Sequence, residues 1–391
     1  MRKWLIGLGG SVLLAAAGFF LFVPAMAEGG MNKVEGGPFP ASAAAKALHK
    51  RLTVIDLHSD TLLWQRDMLD RATRGHVDLP RLEDGHVALQ VFSSVTKTPK
   101  GQNYNSNSGD TDNITLLAIG QLQPVRTWGS LLERSLWHGE KLHRAVAASD
   151  GRLRLVQTPA DMAALLADRA AGKPVTGALL SVEGAHDLEG KLGNLDRLHG
   201  AGFRMLGLVH FFDNDIGGSM HGERKAGLTP LGADVVRAME AKGMIVDLAH
   251  SSAATFADVL RIARRPVVVS HGGVKATCDT PRNLTDDQLR ALAANGGMIG
   301  IGYWDAAVCA PTPAATARAI VHVIKVAGID HVALGSDYDG STTVGFDTAQ
   351  LAVMTQALLD AGLTEAEIAM VMGGNAARLL AAGLAPMPAS R

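Results

Sequence analysis

The chain is poor in cysteine and aromatics, and its charge is nowhere concentrated. Among 391 residues there are two cysteines, three tyrosines and an aromatic share of 5%. Two cysteines are too few for a disulfide-built scaffold or a thiolate metal cluster, so the fold must rest on a hydrophobic core. Lys and Arg number 37 against 38 Asp and Glu, a formal net charge of −1. No basic stripe stands out, which argues against a nucleic-acid partner. No block of like charge and no short repeat divides the chain. Apolar residues make up 47% of it, enough to fill one large α/β domain.

The N-terminus reads as a targeting segment. Arg2 and Lys3 precede an apolar run over 4–23, followed by Pro24-Ala25-Met26-Ala27. A positive start, an apolar middle and an Ala-x-Ala end predict a secretory signal over 1–27, cut after Ala27. The run is also long enough to span a bilayer, so an uncleaved anchor is the alternative. An exported protein is expected, periplasmic or secreted, with no membrane contact beyond such an anchor. Residues 28–48, rich in Gly, Pro and Ala, read as a linker. Residues 49–385 form one domain, and 386–391 a tail. In an exported protein Cys278 and Cys309 are either a disulfide or two buried thiols.

Eight short segments read as buried strands: 53–60, 87–95, 177–184, 204–210, 244–250, 266–271, 298–304 and 332–337. Most are near-continuous apolar runs, the pattern of parallel strands covered on both faces. Helical patterns lie between them, at 158–172, 231–242, 285–294 and 312–327, with Thr or Pro at their starts and Gly at several ends. Alternating strands and helices with a strand count of eight predict a (β/α)8 barrel. The long interval after the second strand holds a polar stretch, 101–112, and an amphipathic one, 116–148. It is expected to be a partly helical insertion near the mouth. Stretches 348–362 and 365–382 read as closing helices.

Polar residues of one kind recur at the strand ends. The first ends in His58 and Asp60, the third in Glu183, the fourth in His210, the fifth in His250, the sixth in His271 and the eighth in Asp337. One such residue alone is more often a hydrogen-bonded surface histidine or a helix cap. Six of eight strand ends doing so points to a site at the C-terminal face of a barrel. His186 and His221, near the same loops, are assigned no role. Imidazoles and carboxylates without thiolate suit zinc, manganese or iron(II). Five ligands exceed what one tetrahedral zinc needs, so His58, Asp60, Glu183, His250 and His271 predict two ions with Glu183 as the bridge. Asp337 is then placed to accept and return a proton.

On Ile55-Asp56-Leu57-His58-Ser59-Asp60, Ser181-Val182-Glu183-Gly184, Asp247-Leu248-Ala249-His250, Val269-Ser270-His271 and Gly335-Ser336-Asp337-Tyr338-Asp339-Gly340, with Gly373-Gly374-Asn375-Ala376-Ala377-Arg378, the chain resembles the membrane dipeptidase (renal dipeptidase-like) metallopeptidases. His-x-Asp in the first motif, where many amidohydrolase-type barrels carry His-x-His, sharpens the resemblance. It implies a zinc-dependent dipeptidase with two Zn2+ per chain, hydrolysing dipeptides by a metal-bridging hydroxide, with C-terminal D-residues accepted. It implies His58, Asp60 and Glu183 on one zinc, Glu183, His250 and His271 on the other, and Asp337 as general acid/base. His210 would polarise the scissile carbonyl, and Arg282 would bind the substrate's terminal carboxylate. On its own, Arg282 reads as a surface residue paired with Asp286 or Asp287. The resemblance also favours a Cys278–Cys309 disulfide. An amidohydrolase on N-acyl (D-)amino acids or other small carboxylate-bearing amides is the alternative function. Small dipeptides are the expected partners, and a homodimer is left open.

Overall fold

The computed structural model describes residues 2–386, with side chains from residue 17 onward. Eight strands form its centre: β1 Val54–Ser59, β2 Val87–Val95, β3 Thr176–Glu183, β4 Phe203–Gly207, β5 Ile245–Asp247, β6 Val268–Gly272, β7 Met298–Ile301 and β8 Val332–Leu334. Each pairs in parallel with the next. Leu334 of β8 pairs with Asp56 of β1, which closes a (β/α)8 barrel. A short strand not expected from the sequence, Leu153–Leu155, pairs with Thr176–Ala178 of β3, below the stretch of β3 that pairs with β4.

Alternation along β1 sorts its side chains. Ile55 and Leu57 pack with Leu379 and Leu380 of the helix Asn375–Gly383. Asp56 and His58, offset by one residue, therefore face the barrel interior. β4 and β5 end earlier than the sequence suggests, at Gly207 and Asp247. At β5 the physical reason is local: the Asp247 carboxylate accepts the backbone N–H of Ala249 at 2.9 Å and of Ser270 at 2.9 Å, bonds that divert the chain from the sheet ladder.

Between β2 and β3 lie the helices Asn113–Gly120, Arg126–Gly129, Leu131–Ala148 and Pro159–Ala170, so the insertion is largely helical. Arg134, 1% exposed, organises it. Its guanidinium donates to the Thr96 and Thr127 carbonyls and to the Asp112 carboxylate, at 2.6–2.7 Å. Cys278 and Cys309 form a disulfide with a Cα–Cα distance of 5.4 Å, tying the loop after β6 to the loop after β7.

The stretch expected as a linker is folded instead. A helix spans Arg2–Met31. Lys33–Val34 pairs in parallel with Thr343–Val344, and Ala43–His49 is helical with Ser42 as its cap. Glu28, 1% exposed, bridges Arg66 at 2.5 Å and Arg74 at 2.6 Å. A buried carboxylate between two guanidiniums holds its segment in place, which composition alone does not reveal. Among the described residues no helix is long and apolar enough to cross a membrane, and the side chains of 1–16, most of the apolar run, lie outside them. Replacing Glu28 by Ala leaves the Arg66 charge buried beside one carboxylate fewer. The expected loss is about 3 kcal/mol of stability, read by denaturant unfolding of both proteins.

Candidate metal centre

The carboxylate of Glu183, at the end of β3, is the hub. One of its oxygens, Oε1, lies 3.0 Å from His250 Nε2, 3.2 Å from His271 Nε2 and 3.7 Å from His58 Nε2. The other, Oε2, lies 3.4 Å from His210 Nε2. His58 Nε2 is also 3.3 Å from Asp60 Oδ1 and 4.0 Å from Asp337 Oδ1. Asp60, Glu183, His58, His210, His250 and His271 are all buried. The structure thus brings together every residue the strand ends single out. Ligand atoms lie within 4.8 Å of one another in three sets: His58, Glu183 and His271; Glu183, His210 and His250; and His58, Asp60 and Asp337.

The donor set fits divalent cations. His58 Nε2 and Asp60 Oδ1 are buried without a hydrogen-bond partner. His250 Nε2 and His271 Nε2 stand 3.0 Å apart, a spacing two imidazoles adopt when they share one ion at about 2.1 Å. The protonation pattern agrees. Burial raises the Glu183 pKa, and Asp60 and Asp337 raise it further. Burial pushes Asp337 up to about 8. Burial alone would lower His58, but Glu183, Asp60 and Asp337 outweigh it and push the imidazole up to about 10. Three carboxylates crowded together demand positive charge, and a bound ion supplies it without protons.

A second layer aims the imidazoles, and its members escape a reading of strand ends. Ser270 Oγ donates to Asp247 Oδ2 at 2.5 Å, so it accepts from His271 Nδ1 at 2.9 Å. That bond holds the proton on Nδ1 and leaves the Nε2 lone pair for a metal. Asp56 Oδ1 accepts the His58 backbone N–H at 3.0 Å, and Ser336 Oγ donates to the His58 carbonyl at 2.9 Å. The available signal was an Asp inside an apolar strand two or three residues before a histidine. His250 and Asp337 sit at φ 62° and 59°, left-handed backbone that non-glycine residues seldom adopt and that clusters at functional sites. Gly184, at φ 94°, passes close behind the site, where a Cβ would meet His186 and lie 3.0 Å from His210.

Arg282 is 1% exposed and turned inward. Its Nη2 donates to the His271 carbonyl at 2.7 Å, and the guanidinium lies 5.7 Å from the Trp304 ring centre. Asp286 and Asp287 pair with His322 and Arg290 instead. Arg282, Asp337, His210, His250, Glu183 and Asp60 all line one cavity of about 770 Å³. Much of its remaining wall comes from outside the barrel strands: Ala27 and Met31 from the N-terminal helix, and Tyr104, Ile114 and Leu117 from the insertion. His221, assigned no role from sequence, lies 5.3 Å from His250 ring to ring and bonds through Nδ1 to the Tyr104 carbonyl. His186 stacks on Phe212 at 4.9 Å.

A parallel barrel with imidazoles and carboxylates converging at its C-terminal face defines a metal-dependent hydrolase. Residues 42–384 match the family model described as Membrane dipeptidase (Peptidase family M19). The chain is 30% identical over 372 residues to the dipeptidase aclJ of Aspergillus oryzae, covering 88% of this chain and 82% of that one. Among solved structures it is similar to the probable dipeptidase PvdM of Pseudomonas aeruginosa, with 19% identity, a TM-score of 0.72, and 87% of this chain and 98% of that one covered. It is also similar to a metallo peptidase of Rhodobacter sphaeroides liganded with a phosphinate mimic of the dipeptide L-Ala-D-Ala. There the identity is 24% and the TM-score 0.69, with 84% and 98% covered. The chain belongs to the membrane dipeptidase family and is a dipeptidase of that metallopeptidase class.

Ser270→Ala removes the acceptor that fixes the His271 tautomer. Metal affinity is expected to fall about 10–100-fold, measured by competition with a chromogenic chelator, while the fold is retained.

Proposed function

We propose that the protein is a dinuclear zinc dipeptidase that accepts a C-terminal D-residue. The observation that carries this is the single carboxylate of Glu183 ringed by four imidazoles, facing a cavity that also receives Asp337 and Arg282. His58 and Asp60 would hold one ion, His250 and His271 the other, with Glu183 shared. When bound, the ions lower the pKa of water and polarise the substrate carbonyl. The chain's own residues supply the rest. Arg282 presents its guanidinium to the substrate's terminal carboxylate. His210 Nε2 donates to the oxygen of the scissile carbonyl as negative charge develops there. Asp337 takes the proton from the attacking water and passes it to the leaving amine. The bound dipeptide mimic in the Rhodobacter relative, with D-Ala at its C-terminal end, supports the D-residue reading.

Export through residues 1–27 completes this proposal, and the disulfide suits an oxidising compartment. A cut after Ala27 would leave Glu28 and its two arginines on the mature chain.

Zinc-loaded protein assayed on paired L-L and L-D dipeptides, their C-terminal amides and N-acyl amino acids tests the reading. Free dipeptides are expected to turn over, with about two zinc ions per chain. Chelation should abolish activity, and zinc should restore it. Turnover of N-acyl amino acids alone, or less than one metal per chain after loading, would overturn the proposal. Asp337→Asn is expected to lower kcat by about 10²–10⁴-fold with metal content unchanged. Undiminished turnover would remove Asp337 from its role.

A further inference from the structure

The polar loop that begins the insertion lies outside the cluster around Glu183. It is a built structure. Asn103 Oδ1 accepts the backbone N–H groups of Asn105 and Ser106 at 2.9 and 3.0 Å, and Asn107 Oδ1 accepts that of Asn103 at 2.9 Å. Asn107 then ties the loop to the His221 carbonyl through its backbone N–H at 2.8 Å and its Nδ2 at 3.0 Å. His221 Nδ1 returns a bond to the Tyr104 carbonyl at 2.9 Å. These contacts hold Tyr104 in the cavity wall, its ring 5.7 Å from Phe211 and 5.4 Å from His221. Tyr104 and Phe211 both line the catalytic cavity and also an outer pocket walled by Thr280 and Pro281. Tyr104 is therefore part of the partition between the two.

Among the described residues the hydroxyl has one bond, 3.0 Å to Trp304 Nε1. An indole N–H can only donate, so the phenol oxygen accepts. The phenol's own proton then has no acceptor among the described residues. It stands in the cavity with Asp337 and Arg282, and both charges act on it: burial first, then Asp337, raise its pKa to about 12, against Arg282. The group stays protonated at any physiological pH and remains a donor. Solvent can accept from it in the cavity, and a substrate that fills the cavity can take that place.

We propose that Tyr104 is a specificity-determining residue whose hydroxyl donates to the substrate's C-terminal carboxylate beside Arg282. This rests on the dipeptidase reading. The carboxylate would then be recognised at two points, by a guanidinium from the loop after β6 and by a phenol from the insertion. Trp304 couples them, since its ring lies 5.7 Å from the Arg282 guanidinium and its Nε1 fixes the Tyr104 hydroxyl.

Tyr104→Phe deletes one oxygen and keeps the ring. For a free dipeptide, kcat/KM is expected to fall about 10–100-fold, mainly through KM, as for loss of a hydrogen bond to a charged group. For the C-terminal amide it is expected to change little. Equal losses on both substrates, or no loss on either, would overturn the proposal. Tyr104→Phe also orphans the Trp304 N–H, so Trp304→Phe/Tyr104→Phe is measured against Trp304→Phe. A persisting loss on the free dipeptide supports the substrate contact. Recovery to the Trp304→Phe level would show that the orphaned indole caused the effect and would overturn it. Wild-type turnover of dipeptides reports separately on the dipeptidase reading.

Discussion

One carboxylate, that of Glu183, is the constraint to which the rest of the site answers. It is buried at the end of a central barrel strand, with four imidazole nitrogens at 3.0–3.7 Å. Adding Asp60 and Asp337 puts three acids in a space from which water is largely removed. In such a medium an uncompensated charge costs several kcal/mol, and like charges raise one another's pKa. The folded barrel reaches neutrality by taking up protons or by binding cations. The imidazoles decide between these. Burial lowers the pKa of His210, His250 and His271, which keeps them neutral and leaves His250 and His271 free as ligands. An acidic hub beside three neutral imidazoles and a fourth, His58, whose pKa the same acids raise is an arrangement that a divalent ion satisfies better than protons do.

Holding that arrangement falls to residues that do no chemistry. Asp247 gathers the backbone of Ala249 and Ser270 and the Ser270 hydroxyl, so the ends of β5 and β6 are fixed by one buried acid. Asp56 does the same for His58 and for Ser336 at the closure of the barrel. Asp339 accepts from Thr61 Oγ1 at 2.8 Å and from the His76 backbone at 2.6 Å, and it pairs with Arg66. It thereby steadies the loop that carries Asp337. Left-handed backbone at His250, Asp337 and Asp339 costs about 1 kcal/mol or more per residue, and these bonds offset it.

The barrel and the cluster around Glu183 were legible because both leave periodic traces. Strands buried on both faces are apolar runs, and a ligand at a strand end interrupts such a run at a fixed place. His58, Asp60, Glu183, His210, His250, His271 and Asp337 could be read that way. Arg282 could not, since a loop arginine has no period and its two acidic neighbours in sequence offered a ready partner. Tyr104 left less trace still: its position depends on asparagine turns and on a contact with Trp304, 200 residues away. The folded state of 28–48 was hidden for a related reason. Gly, Pro and Ala describe a flexible composition, whereas the segment is fixed by Glu28 meeting Arg66 and Arg74 from a distant loop.

The division of labour follows from these two kinds of trace. The strand ends carry the candidate ligands, whose arrangement around Glu183 tolerates little change. Much of the cavity wall that would meet a substrate comes from the insertion, the loop after β6 and the N-terminal segment. None of these is part of the sheet, so each can vary without disturbing Glu183. The N-terminal segment is the least free of the three. Glu28 engages Arg66, Arg66 engages Asp339, and Asp339 stands two residues from Asp337. A change at residue 28 thus reaches the proposed proton carrier through two buried ion pairs, while a cut one residue earlier leaves that chain of contacts whole. The stretch that reads as a leader therefore runs directly into structure, with Ala27 on the cavity wall and Glu28 holding two arginines.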